Sequence, residues 1–403
     1  MSNFVIEGGK RLLGEIVVSS GKNSPIALLF ASLMVRGRVT LRDMSRVEEV
    51  SRILEIFQSI GVAHSWVDDH TLFLDTAGPL RLADIDKTAC ARTRVALLFF
   101  GALAAREKQF RFYRTGGCDL GERTIRPHLF ALAKLGVEVR EEREHQMVAS
   151  RNLRGAEVVM YESGDTATEN VIMAAALARG ATTIRFASAN YMVQDLCYFL
   201  AAAGARIDGI GTTTLKITGV PNLHDVEYAA IPDPVDAMAW ISLAITTHSR
   251  LTIRNCAIDF LALELEHLSI MGQRYRCHHR RMSASGHFSL VDITIFPSVL
   301  KALPDKLHGR PYPGLNIDNV PLFVPILTQA AGQTLVHDWV YENRAIYYLE
   351  LQKLGARVLL LDPHRVLVSG STGLRGNELI CPPALRPGMA ILIAMLASRG
   401  KSV

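Results

Sequence analysis

Leu354-Gly355-Ala356-Arg357-Val358-Leu359-Leu360-Leu361 joins the end of an amphipathic helix to a strand through a single glycine. A glycine fits the left-handed position after a helix because it has no Cβ to clash there. The same helix-glycine-strand junction occurs at Gly61, Gly136, Gly204 and Gly272, so successive junctions are 75, 68, 68 and 83 residues apart. This spacing predicts a tandem series of α/β units that pack in groups.

A second signature recurs out of phase with these junctions: an alanine-rich helix, a turn and a run of β-forming residues. One copy is Ala178-Arg179-Gly180-Ala181-Thr182-Thr183-Ile184, and the others lie at 35–41, 104–110, 247–253, 331–336 and 397–403. There are therefore six copies of this signature but five of the junction. We predict an α/β protein of two similar domains, each with three βαβαββ-type units, in which the sixth unit is incomplete. Beside its last helix we expect an unpaired sheet edge or an uncovered apolar face.

Two prolines mark the expected crossing between the domains. Pro232 and Pro234 follow a β-rich segment and interrupt both helix formation and strand pairing. We expect one domain to span residues 21–229 and the other to combine 1–20 with 230–403. In that arrangement the N-terminal strand pairs with the C-terminal domain. A chain of 403 residues also exceeds the size of one ordinary core.

The composition favours a well-packed cytoplasmic protein that binds a small anion. Residues are 49% hydrophobic, and no apolar run approaches the roughly 18 residues that a membrane span requires. The N-terminus lacks the pattern of a signal peptide. The six cysteines are scattered without paired spacing, which indicates reduced thiols in the cytoplasm. A net charge of +5 suits an anionic substrate and is weak support for nucleic-acid binding.

One dense basic run, residues 274–281, has three interpretations. A solvated strand or hairpin face is favoured over a nucleic-acid surface, because no aromatic residues or helical stripe accompany the charges. A metal site at Cys277, His278 and His279 is disfavoured, because adjacent residues of a strand point to opposite faces.

The most reactive candidate is Cys118, which lies in Arg114-Thr115-Gly116-Gly117-Cys118-Asp119-Leu120-Gly121-Glu122-Arg123. The glycines allow sharp turns, and the flanking arginines favour the thiolate form of the cysteine. Such a thiol can serve as an acid or a nucleophile near neutral pH.

The repeat, Ser20-Gly21-Lys22-Asn23, the Gly-Gly-Cys loop, Glu342-Asn343-Arg344 and Leu385-Arg386 together resemble the enolpyruvyl transferases. Within that family the pattern is closer to the UDP-N-acetylglucosamine 1-carboxyvinyltransferases of peptidoglycan precursor synthesis than to the 3-phosphoshikimate transferases, which lack the cysteine loop. The resemblance implies an inside-out α/β barrel of two domains that close on the substrates. It also implies no metal and no organic cofactor. The implied reaction transfers the enolpyruvyl group of phosphoenolpyruvate to a sugar hydroxyl and releases phosphate.

The resemblance assigns a role to eight residues. It implies that Cys118 is the acid and can form a covalent adduct, that Asp318 accepts the hydroxyl proton, and that Lys22 contacts phosphoenolpyruvate. The implied substrate contacts are Asn23 with the acceptor sugar, Arg94 and Arg123 with phosphate, and Arg344 and Arg386 with the carboxylate. Arginine suits such anions because its planar fork matches carboxylate and phosphate oxygens. Each residue also has a structural alternative: a surface lysine for Lys22, a turn aspartate for Asp318.

The chain departs from the family pattern at several positions. It stops at Val403, before a further arginine of the family's sixth unit, and three other departures, Asp165, Arg126 and Ala384, fall near the acceptor. An aspartate beside a diphosphate repels it unless the carboxylate faces away. Two alternatives therefore stay open at this point. One is enolpyruvyl transfer to a different nucleotide or sugar, and the other is a non-catalytic protein that binds a nucleotide sugar.

Overall fold

The computed structural model describes residues 4–113, 124–143 and 145–403. Its strands, numbered in chain order, are β1 Ile6–Gly8, β2 Leu13–Val17, β3 Arg38–Arg42, β4 Ala63–Trp66, β5 Leu72–Asp75, β6 Gln109–Tyr113, β7 Glu138–Glu141, β8 His145–Ala149, β9 Glu157–Val159, β10 Ala181–Arg185, β11 Arg206–Asp208, β12 Thr214–Thr218, β13 Val226–Ala229, β14 Arg250–Ala257, β15 Tyr275–Met282, β16 Ser289–Ile295, β17 Leu307–His308, β18 Gly332–His337, β19 Arg357–Asp362, β20 Arg365–Gly370 and β21 Gly400–Ser402.

The α-helices, also numbered in chain order, are α1 Asn23–Ser32, α2 Glu48–Ser59, α3 Lys87–Ala91, α4 Phe99–Ala104, α5 Arg126–Lys134, α6 Asp165–Ala176, α7 Tyr191–Ala202, α8 Pro234–Thr246, α9 Ala262–Ile270, α10 Val320–Gln329 and α11 Leu385–Ala397. Short 3-10 helices span Leu82–Asp84, Arg94–Leu98 and Ile258–Phe260, and a longer one spans Arg344–Leu354.

The described strands form six sheets. Three draw all their strands from residues 38–229, in the orders β13-β3-β5-β4, β6-β8-β7 and β11-β12-β10-β9. Three draw theirs from residues 6–17 and 250–402, in the orders β15-β16-β14-β2, β17-β18-β20-β19 and β1-β21. Helices and sheets therefore alternate through a mixed α/β fold, as the repeat predicts.

Both sequence signatures correspond to fixed positions in these sheets. The five junction glycines have φ between 88° and 105°, which is the left-handed conformation expected after a helix. Each junction leads into an edge strand of a different sheet, namely β4, β7, β11, β15 or β19. The six copies of the second signature lead into β3, β6, β10, β14, β18 and β21, one for each sheet. The prediction of six units from these two patterns is confirmed.

The sixth sheet is completed by the N-terminal strand. β1 pairs antiparallel with β21, with Ile6 opposite Ser402. On the other side of β21, Gly376 N donates to Arg399 O at 2.8 Å and Leu379 N donates to Val403 O at 2.9 Å. The expectation of an unpaired edge is therefore wrong for β21, because chain segments on both sides satisfy its backbone groups.

Two chain segments cross side by side between the two groups of sheets. β2 pairs in parallel with β14, and β13 pairs in parallel with β3. Between these strands, Asp233 N donates to Ser19 O at 2.7 Å. Gly21 has φ 60°, and a Cβ there would lie 2.0 Å from Asp233 Oδ2. The close approach therefore requires glycine at position 21.

Two helices of the first group of sheets are buried almost completely. α1 buries every residue from Ser24 to Ser32, and α6 buries every residue from Ala167 to Ala176. Helices that are apolar on all sides pack inside a protein and not at its surface. In the second group, α8, α10 and α11 pack against one another. Among the residues that the structure describes, no helix combines the length and apolar character needed to cross a bilayer.

The basic run forms β15, whose cationic side chains are largely exposed, as expected of a solvated strand. The reason for disfavouring a metal site there was wrong, however. A β-bulge with His279 at φ 53° places His278, His279 and Asp292 within 4.8 Å of one another. Asp292 is already paired with Arg281, Nη2 to Oδ1 at 2.6 Å, and the neighbouring positive charge opposes a cation.

Candidate functional site

Asp318 lies in the turn before α10. Its backbone N–H donates to Asn316 Oδ1 at 2.9 Å, which fixes the turn. Arg386 Nε donates to Asp318 Oδ2 at 3.4 Å, and Arg344 Nη1 lies 3.9 Å from Oδ1. Burial alone would raise the pKa of Asp318, but Arg386, Arg344 and Lys22 hold it below its usual value. Asp318 is therefore an ionised carboxylate at neutral pH.

Arg344 is held in place by Asp338. It begins the 3-10 helix Arg344–Leu354 and is only 1% exposed. Its Nε donates to Asp338 Oδ2 at 2.7 Å, and its Nη2 donates to Asp338 Oδ1 at 2.5 Å and to Ile317 O at 2.7 Å. Although burial opposes the charge, Asp338 raises the pKa of Arg344. This two-point contact leaves Nη1 directed at Asp318.

Arg386 is the second residue of α11, so it lies in the first turn of that helix. Its Nη2 is buried without a hydrogen-bond partner among the described residues. Burial disfavours the charged form, but Asp318 and Asp233 raise the pKa of Arg386 above its usual value. The residue before the helix, Ala384, supplies no side-chain cap. A guanidinium and an uncapped helix N-terminus therefore meet at one place, which favours an anion.

Lys22 and Asn23 lie at the start of α1. Lys22 Nζ is 2.8 Å from Glu49 Oε2, and Thr93 Oγ1 donates to Glu49 Oε1 at 2.7 Å. Burial raises the pKa of Glu49, but Lys22 and Thr93 outweigh it and leave the pKa lowered. Asn23 Nδ2 donates to Tyr191 OH at 3.1 Å. Glu49 thus orients the ammonium, and Tyr191 orients the amide.

Asp233 connects this side of the site to Arg386. Its carboxylate accepts a hydrogen bond from Val235 N at 2.8 Å and interacts electrostatically with the buried Tyr191. Burial raises the pKa of Asp233 to about 6, and the nearby Arg386 opposes the rise. A continuous polar chain therefore runs from Asn23 through Tyr191 and Asp233 towards Arg386 and Asp318.

Arg94 begins the 3-10 helix Arg94–Leu98, and its Nη2 donates to Thr124 O at 3.2 Å. Thr124 follows residues 114–123 in the chain. Cys118 and Arg123 themselves lie outside the described residues. Next to Arg94, burial lowers the pKa of His128 to about 4, and the positive charge of Arg94 adds to that effect.

The structure thus brings five sequence-predicted residues into one network: Lys22, Asn23, Asp318, Arg344 and Arg386. Sequence reasoning missed the residues that hold these groups in place, namely Glu49, Tyr191, Asp233 and Asp338. In the sequence, Asp233 stood out only as the residue between Pro232 and Pro234, where the chain was expected to cross between domains. Tyr191 follows Asn190 at a helix start and gave no distinguishing signal.

The unusual Asp165 is tied to neighbouring side chains. Ser188 Oγ donates to its Oδ1 at 2.6 Å, and Asn190 Nδ2 donates to its Oδ2 at 3.2 Å. Burial raises the pKa of Asp165, which reduces its negative charge. Both oxygens therefore already have donors. The other departures differ: Arg126 is exposed at the start of α5, and Ala384 is buried before α11.

The described cysteines divide into two groups. Cys90, Cys197 and Cys256 are buried, and burial raises the pKa of each thiol, to about 12 for Cys90. Cys277 and Cys381 are exposed. Cys381 is neither buried nor part of a strand. It lies in the loop before α11, which carries Arg386.

Comparison with known proteins identifies the family. The family model described as EPSP synthase (3-phosphoshikimate 1-carboxyvinyltransferase) matches residues 6–403. The chain belongs to this family. Among curated relatives, the UDP-N-acetylglucosamine 1-carboxyvinyltransferase of Bradyrhizobium diazoefficiens is 34% identical over 407 residues, covering 99% of this chain and 91% of the relative. The protein of that name from Treponema pallidum is 33% identical over 406 residues, covering 100% and 93%.

Solved structures of this family share the fold. The enolpyruvyl transferase NikO from Streptomyces tendae superposes with a TM-score of 0.84 at 23% identity, covering 99% of this chain and 91% of that one. EPSP synthase from Acinetobacter baumannii gives a TM-score of 0.74 at 17% identity, covering 99% and 92%. The two-domain α/β architecture expected from the repeat is therefore confirmed.

Proposed function

We propose that this protein is a transferase that moves the enolpyruvyl group of phosphoenolpyruvate to the 3-hydroxyl of UDP-N-acetylglucosamine, with release of phosphate. The observation that carries the proposal is the Asp318 carboxylate held by Arg386 and Arg344 beside the Lys22–Asn23 helix start. Relatives of 30% to 34% identity along nearly the whole chain bear the name of this activity. Such a reaction is an early step in peptidoglycan precursor synthesis.

The cations of the site suit the two anionic groups of phosphoenolpyruvate. We assign its carboxylate to Arg386 and Arg344, because Arg386 Nη2 is buried without a partner in the described chain and Arg344 Nη1 faces the same space. We assign its phosphate to Lys22, Arg94 and Arg123. Fixed cations of this kind stabilise the charge that develops as phosphate departs.

Asp318 and Cys118 would move the protons. In the addition step, Asp318 takes the proton of the acceptor hydroxyl, and the oxygen of that hydroxyl bonds to C2 of phosphoenolpyruvate. Cys118 gives its proton to C3. In the elimination step, the C2–O bond to phosphate breaks, the Cys118 thiolate takes a proton back from C3, and the proton held by Asp318 leaves with the phosphate, which restores the double bond and both side chains. When the substrate carboxylate binds Arg386, Asp318 loses part of its countercharge. Its pKa then rises from the lowered value, which makes it a better base.

We also propose that residues 21–229 form one domain and that 1–20 with 230–403 form the other. The two disjoint groups of sheets support this division, as do the parallel pairs β2 with β14 and β13 with β3. The Lys22, Asn23 and Arg94 side of the site belongs to the first domain, and Asp318, Arg344 and Arg386 belong to the second. Closure of the domains would then bring the two halves of the site onto the substrates.

Further features support a cytoplasmic enzyme that acts on small molecules. The described cysteines are all free, which suits a reducing compartment. The proposed substrates are a glycolytic phosphate ester and a nucleotide sugar, both anionic, and the chain has a net charge of +5.

The test is phosphate release from phosphoenolpyruvate with a panel of acceptors: UDP-N-acetylglucosamine, shikimate 3-phosphate, UMP and no acceptor. Mass spectrometry of the product should show the acceptor with one added enolpyruvyl group. We expect turnover with UDP-N-acetylglucosamine and at least about tenfold lower kcat/KM with the others, since each lacks groups that the pocket would bind. Turnover only with another acceptor would overturn the substrate assignment. Acceptor binding with no phosphate release would overturn the enzyme assignment.

A further inference from the structure

We propose that Tyr191 is a positioning residue: its hydroxyl fixes the Asn23 amide for the acceptor sugar. This inference rests on the proposed function and extends it to a residue outside the expected site. Tyr191 begins α7 and is fully buried.

The hydrogen bonds fix which way each group points. A tyrosine hydroxyl has one hydrogen to donate and lone pairs to accept. Asn23 Nδ2 donates to the Tyr191 hydroxyl at 3.1 Å, so a lone pair of that oxygen is occupied. The hydroxyl hydrogen stays available for the Asp233 carboxylate, which interacts electrostatically with Tyr191. This arrangement fixes the amide with Oδ1 at the other end, ready to accept a hydrogen bond from a sugar O–H or N–H.

The anchor of this chain is rigid. Asp233 accepts from Val235 N at 2.8 Å and lies so close to Gly21 that no side chain fits at that position. The Tyr191 ring packs edge-on to Phe260, with ring centroids 6.0 Å apart. A buried hydroxyl with both partners supplied holds its geometry better than one that water can reach.

The same anchor faces the other substrate subsite. Asp233 interacts electrostatically with Arg386, to which we assign the phosphoenolpyruvate carboxylate. Tyr191 and Asn23 come from residues 21–229, whereas Asp233, Phe260 and Arg386 come from residues 230–403. Tyr191 therefore joins the acceptor side of the site to the other half of the protein.

The test is steady-state kinetics of Tyr191→Phe, which keeps the ring and removes the hydroxyl. Without it the Asn23 amide is free to turn, so we expect the KM for UDP-N-acetylglucosamine to rise about fivefold to tenfold. The KM for phosphoenolpyruvate should change by less than about twofold, since its assigned cations keep their contacts. Tyr198→Phe is the matched control, because Tyr198 lies on the same helix and stacks on His287, away from Asn23.

A double-mutant cycle separates positioning from a packing role. In an Asn23→Ala background, Tyr191→Phe should add almost nothing to the acceptor KM, because the amide that it orients is gone. Equal changes in both KM values, additive effects in the cycle, or an unchanged acceptor KM in active Tyr191→Phe would each overturn the proposal. Thermal melting of both Phe variants checks that they are folded. If wild-type protein shows no turnover with this acceptor, the proposed function fails first, and this inference fails with it.

Discussion

Arg386 reaches Asp318 across 68 residues of sequence, with Nε 3.4 Å from Oδ2. The pair couples a candidate base to a candidate anion ligand, so any change in one alters the charge felt by the other. Arg344 approaches the other oxygen of the same carboxylate at 3.9 Å. The first predictions concern these three residues.

Asp318→Asn should reduce kcat by about 10² to 10⁴-fold, the usual contribution of a positioned general base. Phosphoenolpyruvate should bind as tightly as before or more tightly, because Arg386 and Arg344 lose a competing carboxylate. Pre-steady-state binding and turnover assays measure the two effects separately. The exposed Asp259→Asn serves as the control. A kcat within about threefold of wild type would contradict the role of Asp318 as base.

Arg386→Ala should mainly weaken substrate binding, whereas Arg344→Ala should mainly lower the stability of the fold. Arg386→Ala removes a hydrogen-bond donor to an anion, so the KM for phosphoenolpyruvate should rise about tenfold to 100-fold with little loss of stability. Arg344→Ala leaves the buried Asp338 without its cationic partner, which should cost about 3–5 kcal/mol of unfolding free energy. Urea unfolding and kinetics on both variants, with the exposed Arg276→Ala as the control, check the contrast. The reverse ranking of stability would contradict it.

Cys118 should be the first cysteine modified by an electrophilic mimic of phosphoenolpyruvate such as the epoxide fosfomycin. Cys118→Asp should keep some transfer, because a carboxylic acid also donates a proton, but should resist covalent inactivation. Cys118→Ala should lose most turnover. Intact-mass labelling with peptide mapping measures the modification.

Cys381→Ser is the matched control for that experiment, since Cys381 is exposed in the loop before α11. It should label and turn over like wild type. Labelling that moves to Cys381 or Cys277 first, or turnover that survives in Cys118→Ala, would refute the assignment of Cys118.

Asp195 should make stability depend on pH. Burial raises its pKa to about 6, against hydrogen bonds from Ser24, Tyr228 and Ile231. Between pH 4 and that value, the folded state binds more protons than the unfolded state, so the group's contribution to stability falls as pH rises.

In Asp195→Asn the side chain at this position does not titrate. The difference in unfolding free energy between wild type and variant should therefore narrow by about 1.4 kcal/mol for each pH unit between 4 and 6. The variant should still be less stable at pH 4, because its amide N–H₂ faces groups that are themselves donors. Chemical denaturation at several pH values measures the gap. A constant or widening gap would show that Asp195 does not titrate in this way.

The sequence was most informative where backbone geometry constrains residue type. The backbone at Gly355 and at its four counterparts has a positive φ that favours glycine, so the spacing of these five glycines revealed the repeated units. Lys22, Asp318 and Arg386 were recognisable because they match motifs of a family whose anionic substrate requires cations and a base. Cys118 was recognisable for the same reason, although it lies outside the described residues.

Contacts between units were not predictable in the same way. Glu49 meets Lys22 because α2 packs beside α1, and nothing in either helix specifies that pairing. Asp338 is one acidic residue among many until the fold places Arg344 against it. The rule that adjacent strand residues point to opposite faces does not hold at the bulge at His279. The bulge depends on the register of β15 with β16, which the sequence of one strand does not specify. These features depend on tertiary contacts that a linear pattern does not encode.

The hydrogen bond from Asp233 N to Ser19 O offers a direct probe of motion. It joins the two segments that connect the two groups of sheets, so this amide proton can exchange with deuterated solvent only when the segments separate. Its exchange rate would therefore report how often the connection loosens, without any added label. Slower exchange at this one amide in the presence of both substrates would record closure in solution.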